Sequence, residues 1–130
     1  MKQLLITFTI AIVLFAVQTA NAQEEKRIQF AKGKNSATVQ GNTGRNGIYY
    51  TVRARSGQKL VVTVTPNRGV GVKIETDGAN GHEVLLREER GGTYEVGLEE
   101  NGDYSIFLGS INGKPAPFTL TVKIVKMTDI

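Results

Sequence analysis

The chain has no cysteine, a single histidine, and no long apolar run after residue 17. Without cysteine there is no disulfide framework, no thiolate nucleophile or zinc ligand, and no residue for a lipid anchor after export. One histidine is a thin basis for metal chemistry. Structural zinc sites use four ligands and catalytic ones three plus water. Here His82 has only Glu75, Asp77 and Glu83 to join it. Calcium takes six to eight oxygens, and the stretch 77–83 lacks the carboxylate spacing of an EF-hand. His82 therefore reads as a solvated loop histidine, with no metal and no cofactor expected. A sustained 3.6-residue apolar period is also missing, which excludes amphipathic helices.

Catalytic arrangements are equally sparse. Ser56 lies in Arg55-Ser56-Gly57, where position 54 is alanine rather than the glycine of a nucleophile elbow. Glu88-Glu89 and Glu99-Glu100 are adjacent, so in a strand each pair divides between opposite faces. Gly69-Val70-Gly71 opens no strand-to-helix phosphate turn. No enzyme activity is expected. Tyr49, Arg53 and Arg55 on one strand face resemble a platform for single-stranded nucleic acid. An export signal and an acidic second half argue against that partner.

The export signal occupies residues 1–22. Met1-Lys2 is a positive start, Leu4 to Val17 is almost unbroken apolar sequence, and Ala20-Asn21-Ala22 has the small-x-small pattern of a cleavage site. This order predicts a signal peptide cut after Ala22 and a periplasmic or secreted product. The apolar run is too short to cross a hydrocarbon layer of about 30 Å, so the mature form is expected not to insert in a membrane. Residues 23–130 are expected to form one domain, large enough to bury roughly 65% of its unfolded surface without disulfides.

Charge is unevenly distributed. From Lys26 to Lys73 there are ten basic residues and no acidic one, and from Glu75 to Asp103 nine acidic residues and two basic. Folding either gives the halves separate faces, which would steer a charged partner, or interleaves them and cancels the fields.

Period-two alternation runs through nearly all of the mature sequence. Ile48, Tyr50, Val52 and Ala54 share one face. The pattern returns at Leu60-Val62-Val64, Val70-Val72-Ile74, Tyr94-Val96-Leu98, Tyr104-Ile106-Leu108 and Phe118-Leu120-Val122-Ile124. Ile28-Phe30, Ala37-Val39 and Val84-Leu86 are shorter candidate strands. Asn-Gly pairs begin at Asn46, Asn80, Asn101 and Asn112 and suit hairpin turns. Pro115 and Pro117 belong in the loop before the last strand. Eight or nine short strands with turns every eight to twelve residues predict an all-β protein, a sandwich or a small barrel, and an antiparallel β-sandwich of jelly-roll or immunoglobulin-like type is the favoured architecture.

Particular residues carry a resemblance. Ile28-x-Phe30, Gly33, Ser36-Ala37-x-Val39-x-Gly41, Tyr50-x-Val52-x-Ala54 and Gly57-Gln58-x-Leu60 occur in order, followed by Gly102-Asp103-Tyr104-x-Ile106 and Phe118-Thr119-Leu120-x-Val122. Over about residues 27–125 the sequence resembles the bacterial pre-peptidase C-terminal domain. Standing alone behind a signal peptide, it also resembles the periplasmic inhibitors of goose-type (g-type) lysozyme. That resemblance implies a non-catalytic β-sandwich whose end loops plug an enzyme cleft with basic and aromatic side chains. The corresponding loops are 42–47, with Arg45 and Asn46, and 110–117, with Lys114; Tyr49 is the aromatic neighbour. The second loop departs from the arginine-rich pattern of the inhibitors. The partner implied is a protein, g-type lysozyme in the sharpest version. The other reading is an accessory envelope module that binds cell-wall glycan or another exported protein.

Overall fold

A computed structural model describes residues 24–66, 68–78 and 81–127. The signal peptide expected over 1–22 and the turn residue Asn80 lie outside these. The strands are β1 (Glu24–Arg27), β2 (Ser36–Asn42), β3 (Ile48–Ala54), β4 (Gln58–Thr65), β5 (Val70–Gly78), β6 (Gly81–Arg90), β7 (Gly92–Gly97), β8 (Gly102–Ser110) and β9 (Pro117–Lys126). They form a five-stranded sheet, β1-β3-β8-β5-β6, and a four-stranded sheet, β2-β9-β4-β7.

The expected alternation sets which side of each strand is inside. Ile48, Tyr50 and Val52 on β3 meet Leu60, Val62 and Val64 on β4, Val70, Val72 and Ile74 on β5, and Leu120 and Val122 on β9 in one buried cluster. Most are β-branched residues suited to a pleated surface. Each fully buried side chain of this size contributes about 1.5–3 kcal/mol of transfer free energy. Tyr104 closes one end of the core, its hydroxyl donating to the Glu100 carbonyl at 2.6 Å. A buried tyrosine bonded through its hydroxyl to backbone four residues upstream is the corner found in other β-sandwiches.

Two strands differ from expectation. The first is Glu24–Arg27, not 28–30, and it runs parallel to β3 with every residue exposed. Its charged sequence carries no alternation, and only Ile28, whose amide donates to Thr51 O at 2.8 Å, turns into the core. The second, β6, has ten residues rather than three. It is an edge strand, and its pairing with β5 shifts register on both sides of Ile74. Charged side chains and bulges are the usual protection of such an edge, and both hide it from a period-two reading.

Only β5 and β6 are sequential neighbours in one sheet; every other connection among the described strands crosses between sheets. The Asn-Gly pairs at 46, 101 and 112 therefore sit in crossovers rather than hairpins. The connections, crossovers and the β5–β6 hairpin together, gather at two ends. One end holds the β2–β3, β4–β5, β6–β7 and β8–β9 connections; the other holds β1–β2, β3–β4, β5–β6 and β7–β8.

Candidate functional site

The first of these ends is laced by its own backbone. Gly91 N donates to Val70 O, Ile111 N to Gly69 O, and Thr43 N to Ala116 O at 2.9 Å. Thr43, 2% exposed, also accepts the Ala116 amide on its hydroxyl at 3.0 Å and donates that hydroxyl to Gly44 O at 2.9 Å. This join lies two residues from Arg45 on one loop and two from Lys114 on the other, so the two expected loops form one edge. Within the β8–β9 loop, Asn112 Oδ1 accepts from the Lys114 amide and the Ser110 hydroxyl, both at 3.0 Å. That Asx-type turn is the local work of the Asn112-Gly113 pair.

Arg45, Asn46 and Lys114 are exposed at this edge. Tyr49 stands on the outer face of the five-stranded sheet. Its ring packs on Phe107 of the neighbouring strand β8, with centroids 4.8 Å apart and planes 51° apart. Lys73 Nζ sits 5.6 Å from the Phe107 centroid, a cation–π contact. Phe107 in turn covers Gly47 and Gly109, where a Cβ would collide with its ring. Tyr49 is thus joined to the loop edge through Phe107, the residue next to Asn46 being Gly47.

Sequence reading missed Phe107 and a second group. Arg68 of the β4–β5 connection, Arg90 at the end of β6 and Ile111 of the β8–β9 loop line one groove beside the edge. Ile111 is 53% exposed, an apolar side chain in a groove whose lining also includes two arginines. Among the described residues, Arg45, Arg68, Arg90 and Lys114 form no ion pair, and the four connections contain no carboxylate. Glu88 and Glu89 flank the groove on the β6 side. Nothing in local sequence signals this convergence, because three distant segments supply it.

Elsewhere the opposite charges of the two halves interleave. Arg27 holds Asp103 with two hydrogen bonds of 2.9 and 3.2 Å, which keep that carboxyl below the usual range. Lys59 pairs with Glu95 at 2.6 Å and Lys73 with Glu75 at 3.6 Å. His82 belongs to strand β6 rather than a loop, with Nδ1 2.9 Å from Asp77 and Nε2 3.0 Å from Glu75. Those bonds, Asp77 first, raise its pKa above the usual value. Glu83 is opposite Thr76 in the ladder and turns to the other side. Among the described residues no group of three or more histidines and carboxylates is placed to hold a metal ion. Among the same residues no helix is long and apolar enough to cross a membrane.

No protein-family profile matches the chain, and no curated protein matches it. Solved structures do. The crystal structure of PliG from Aeromonas hydrophila, a periplasmic lysozyme inhibitor of g-type lysozyme, superposes with a TM-score of 0.70 at 28% identity, over 81% of this chain and 99% of that one. This chain has the PliG fold. Salmonella Typhimurium PliG gives a TM-score of 0.60 at 21% identity over 79% of this chain and 99% of that one. A mutant of Escherichia coli PliG gives 0.60 at 20% over the same shares. Those proteins are inhibitors rather than enzymes, so the shared fold supports a non-catalytic binding role. The PliG fold here carries Arg45, Lys114 and the Arg68–Ile111–Arg90 groove at one end, and the charge-paired surfaces along its sheets.

Proposed function

We propose that the protein is an exported, non-catalytic inhibitor of g-type lysozyme. It works by placing the loop edge of Arg45, Asn46 and Lys114, with Tyr49 alongside, into a carboxylate-lined cleft. One observation carries this reading: two cation-bearing loops, hydrogen-bonded into a single edge without carboxylates, on a chain with the PliG fold. Unpaired cations held at a rigid edge have little to give up on meeting an acidic cleft. Each charge-assisted hydrogen bond formed there contributes about 1.5–3 kcal/mol. The carboxylate-free edge also steers the first encounter.

The test is lysis of cell walls by a g-type lysozyme with the protein titrated in, and chicken-type lysozyme in parallel. Loss of lysis at one-to-one stoichiometry for the g-type enzyme alone is expected. Arg45→Glu is expected to weaken inhibition about a hundredfold or more, because it replaces an attraction by a repulsion in a partly desolvated site. Full lysis at large excess of the protein overturns the reading. Sedimentation with purified peptidoglycan then measures the wall-binding alternative directly.

A further inference from the structure

The other end of the sandwich carries a second cationic groove. The β1–β2 connection is fastened there by Asn35, whose side-chain amide donates to Ile124 O at 3.1 Å and whose carbonyl accepts the Ile124 amide at 2.9 Å. Opposite it, Gln58 Oε1 accepts the Arg55 backbone amide at 2.7 Å and the Gln58 backbone amide donates to Arg55 O at 3.2 Å, fixing the β3–β4 turn. Between these two fastened segments lies a groove with Lys34, Arg53 and Arg55 on its walls and Phe30, Ala54 and Ile124 providing apolar surface. Among the described residues no carboxylate lines it. Among the described residues none of the three cations is in an ion pair. Asp103, which faces Arg53 across the ladder, is already held by both hydrogen bonds from Arg27.

We propose that this groove binds a phosphate ester, with its anionic head on Lys34, Arg53 and Arg55 and its organic part on Phe30. A carboxylate offers two oxygens in one plane, whereas the oxygens of a tetrahedral phosphate spread in three dimensions and accept two forks and an ammonium from different sides. Arg53, near the end of β3, and Arg55, in the β3–β4 turn that follows it, both line the groove and offer the two forks. Lys34 comes from the facing connection, at a turn where its amide donates to Ala31 O at 2.8 Å. The half-buried Phe30 ring and the floor give an ester something that inorganic phosphate lacks. The groove is at the end away from Arg45 and Lys114, so both sites can be filled at once.

The probe is phenyl phosphate, titrated into the protein at matched ionic strength and followed by amide chemical shifts. Inorganic phosphate, benzoate and sodium chloride are run in parallel. Shifts centred on Phe30, Lys34, Arg53 and Arg55 are expected, larger with phenyl phosphate than with the other three. Lys34→Glu/Arg55→Glu is expected to weaken this binding by about tenfold or more while leaving lysozyme inhibition unchanged. Arg55→Gln alone serves if the double variant fails to fold, with a smaller loss of the same kind. Phosphatidylglycerol vesicles, compared with phosphatidylcholine, separate a headgroup from a soluble ester once phenyl phosphate binds. No shift at those amides, equal shifts with benzoate, or shifts that persist in the variants overturn the proposal.

Discussion

Thr43 and Ala116 exchange two hydrogen bonds, the Thr43 amide to the Ala116 carbonyl and the Ala116 amide to the Thr43 hydroxyl. The pair is the structural join between the loop of Arg45 and the loop of Lys114. Thr43→Val keeps the shape and removes the acceptor, leaving the Ala116 amide without its partner. An unmet buried donor costs about 1–3 kcal/mol. Urea unfolding is expected to show a lower midpoint of that size, and Thr43→Ser to restore most of it. Inhibition of lysozyme is expected to weaken in parallel, since the edge is no longer held as one. An unchanged midpoint for Thr43→Val removes the join from the account.

Gly47 has φ +80°, and Phe107 fills the space its side chain would need. Gly47→Ala therefore meets both a backbone region unfavourable to L-residues and the edge of a packed ring. The expected loss is about 1–3 kcal/mol. Phe107→Leu in the same chain relieves the collision but not the backbone strain. The double variant is expected to lose less than the two single losses added. Strict additivity in thermal unfolding would show that Phe107 does not constrain Gly47.

These two positions mark where the sequence is legible. Ile48, Tyr50 and Val52 announce their face because an apolar residue at every second position has one physical meaning when one side of a sheet is buried. Arg45 and Lys114 are placed on one edge by the resemblance and by their loops, and Thr43 supplies the contact that neither loop declares. Phe107 gives no warning, since it is an outward residue of a strand whose inward residues look ordinary. The groove of Arg68, Arg90 and Ile111 depends on crossovers between sheets, which turn chemistry does not specify. The Asn-Gly pairs were read as hairpin signals, yet Asn46-Gly47 and Asn112-Gly113 tighten crossovers. A positive-φ glycine is needed for either kind of turn.

Tyr104→Phe deletes the hydroxyl that donates to the Glu100 carbonyl while keeping the buried ring. A net loss of about 1 kcal/mol in folding stability is expected. The corner lies at the end away from Arg45 and Lys114, so inhibition of lysozyme by the folded variant is expected to stay unchanged. The two readouts separate a stability effect from a contact effect. A fall in inhibition at full folding would mean that the corner reaches the interface.

His82 bridges Asp77 and Glu75 on the outer face, and those bonds raise its pKa above the usual 6.5, the Asp77 hydrogen bond most of all. The folded state thus holds the proton more tightly than the unfolded chain. The resulting stabilisation is fully present below 6.5 and is lost as pH rises through the raised folded value. Asp103 works in the other direction. Its pKa lies below the usual 3.8 because Arg27 bonds the carboxylate, so its contribution is present above 3.8 and is lost as pH falls through the lowered value. Folding stability is therefore expected to decline at both limits, with His82 acting on the neutral-to-basic limb. His82→Gln keeps hydrogen-bonding capacity and removes the titration. The stability difference between wild type and His82→Gln is expected to be largest near about pH 5 and to shrink toward zero by about pH 9. A difference that is flat across that range eliminates the bridge. Because His82 pairs with Asp77 beside the β5–β6 turn, at the end away from Arg45, the pH dependence of lysozyme inhibition is expected to be the same in both proteins. A changed inhibition profile would bring the β5–β6 end of the five-stranded sheet into the contact surface.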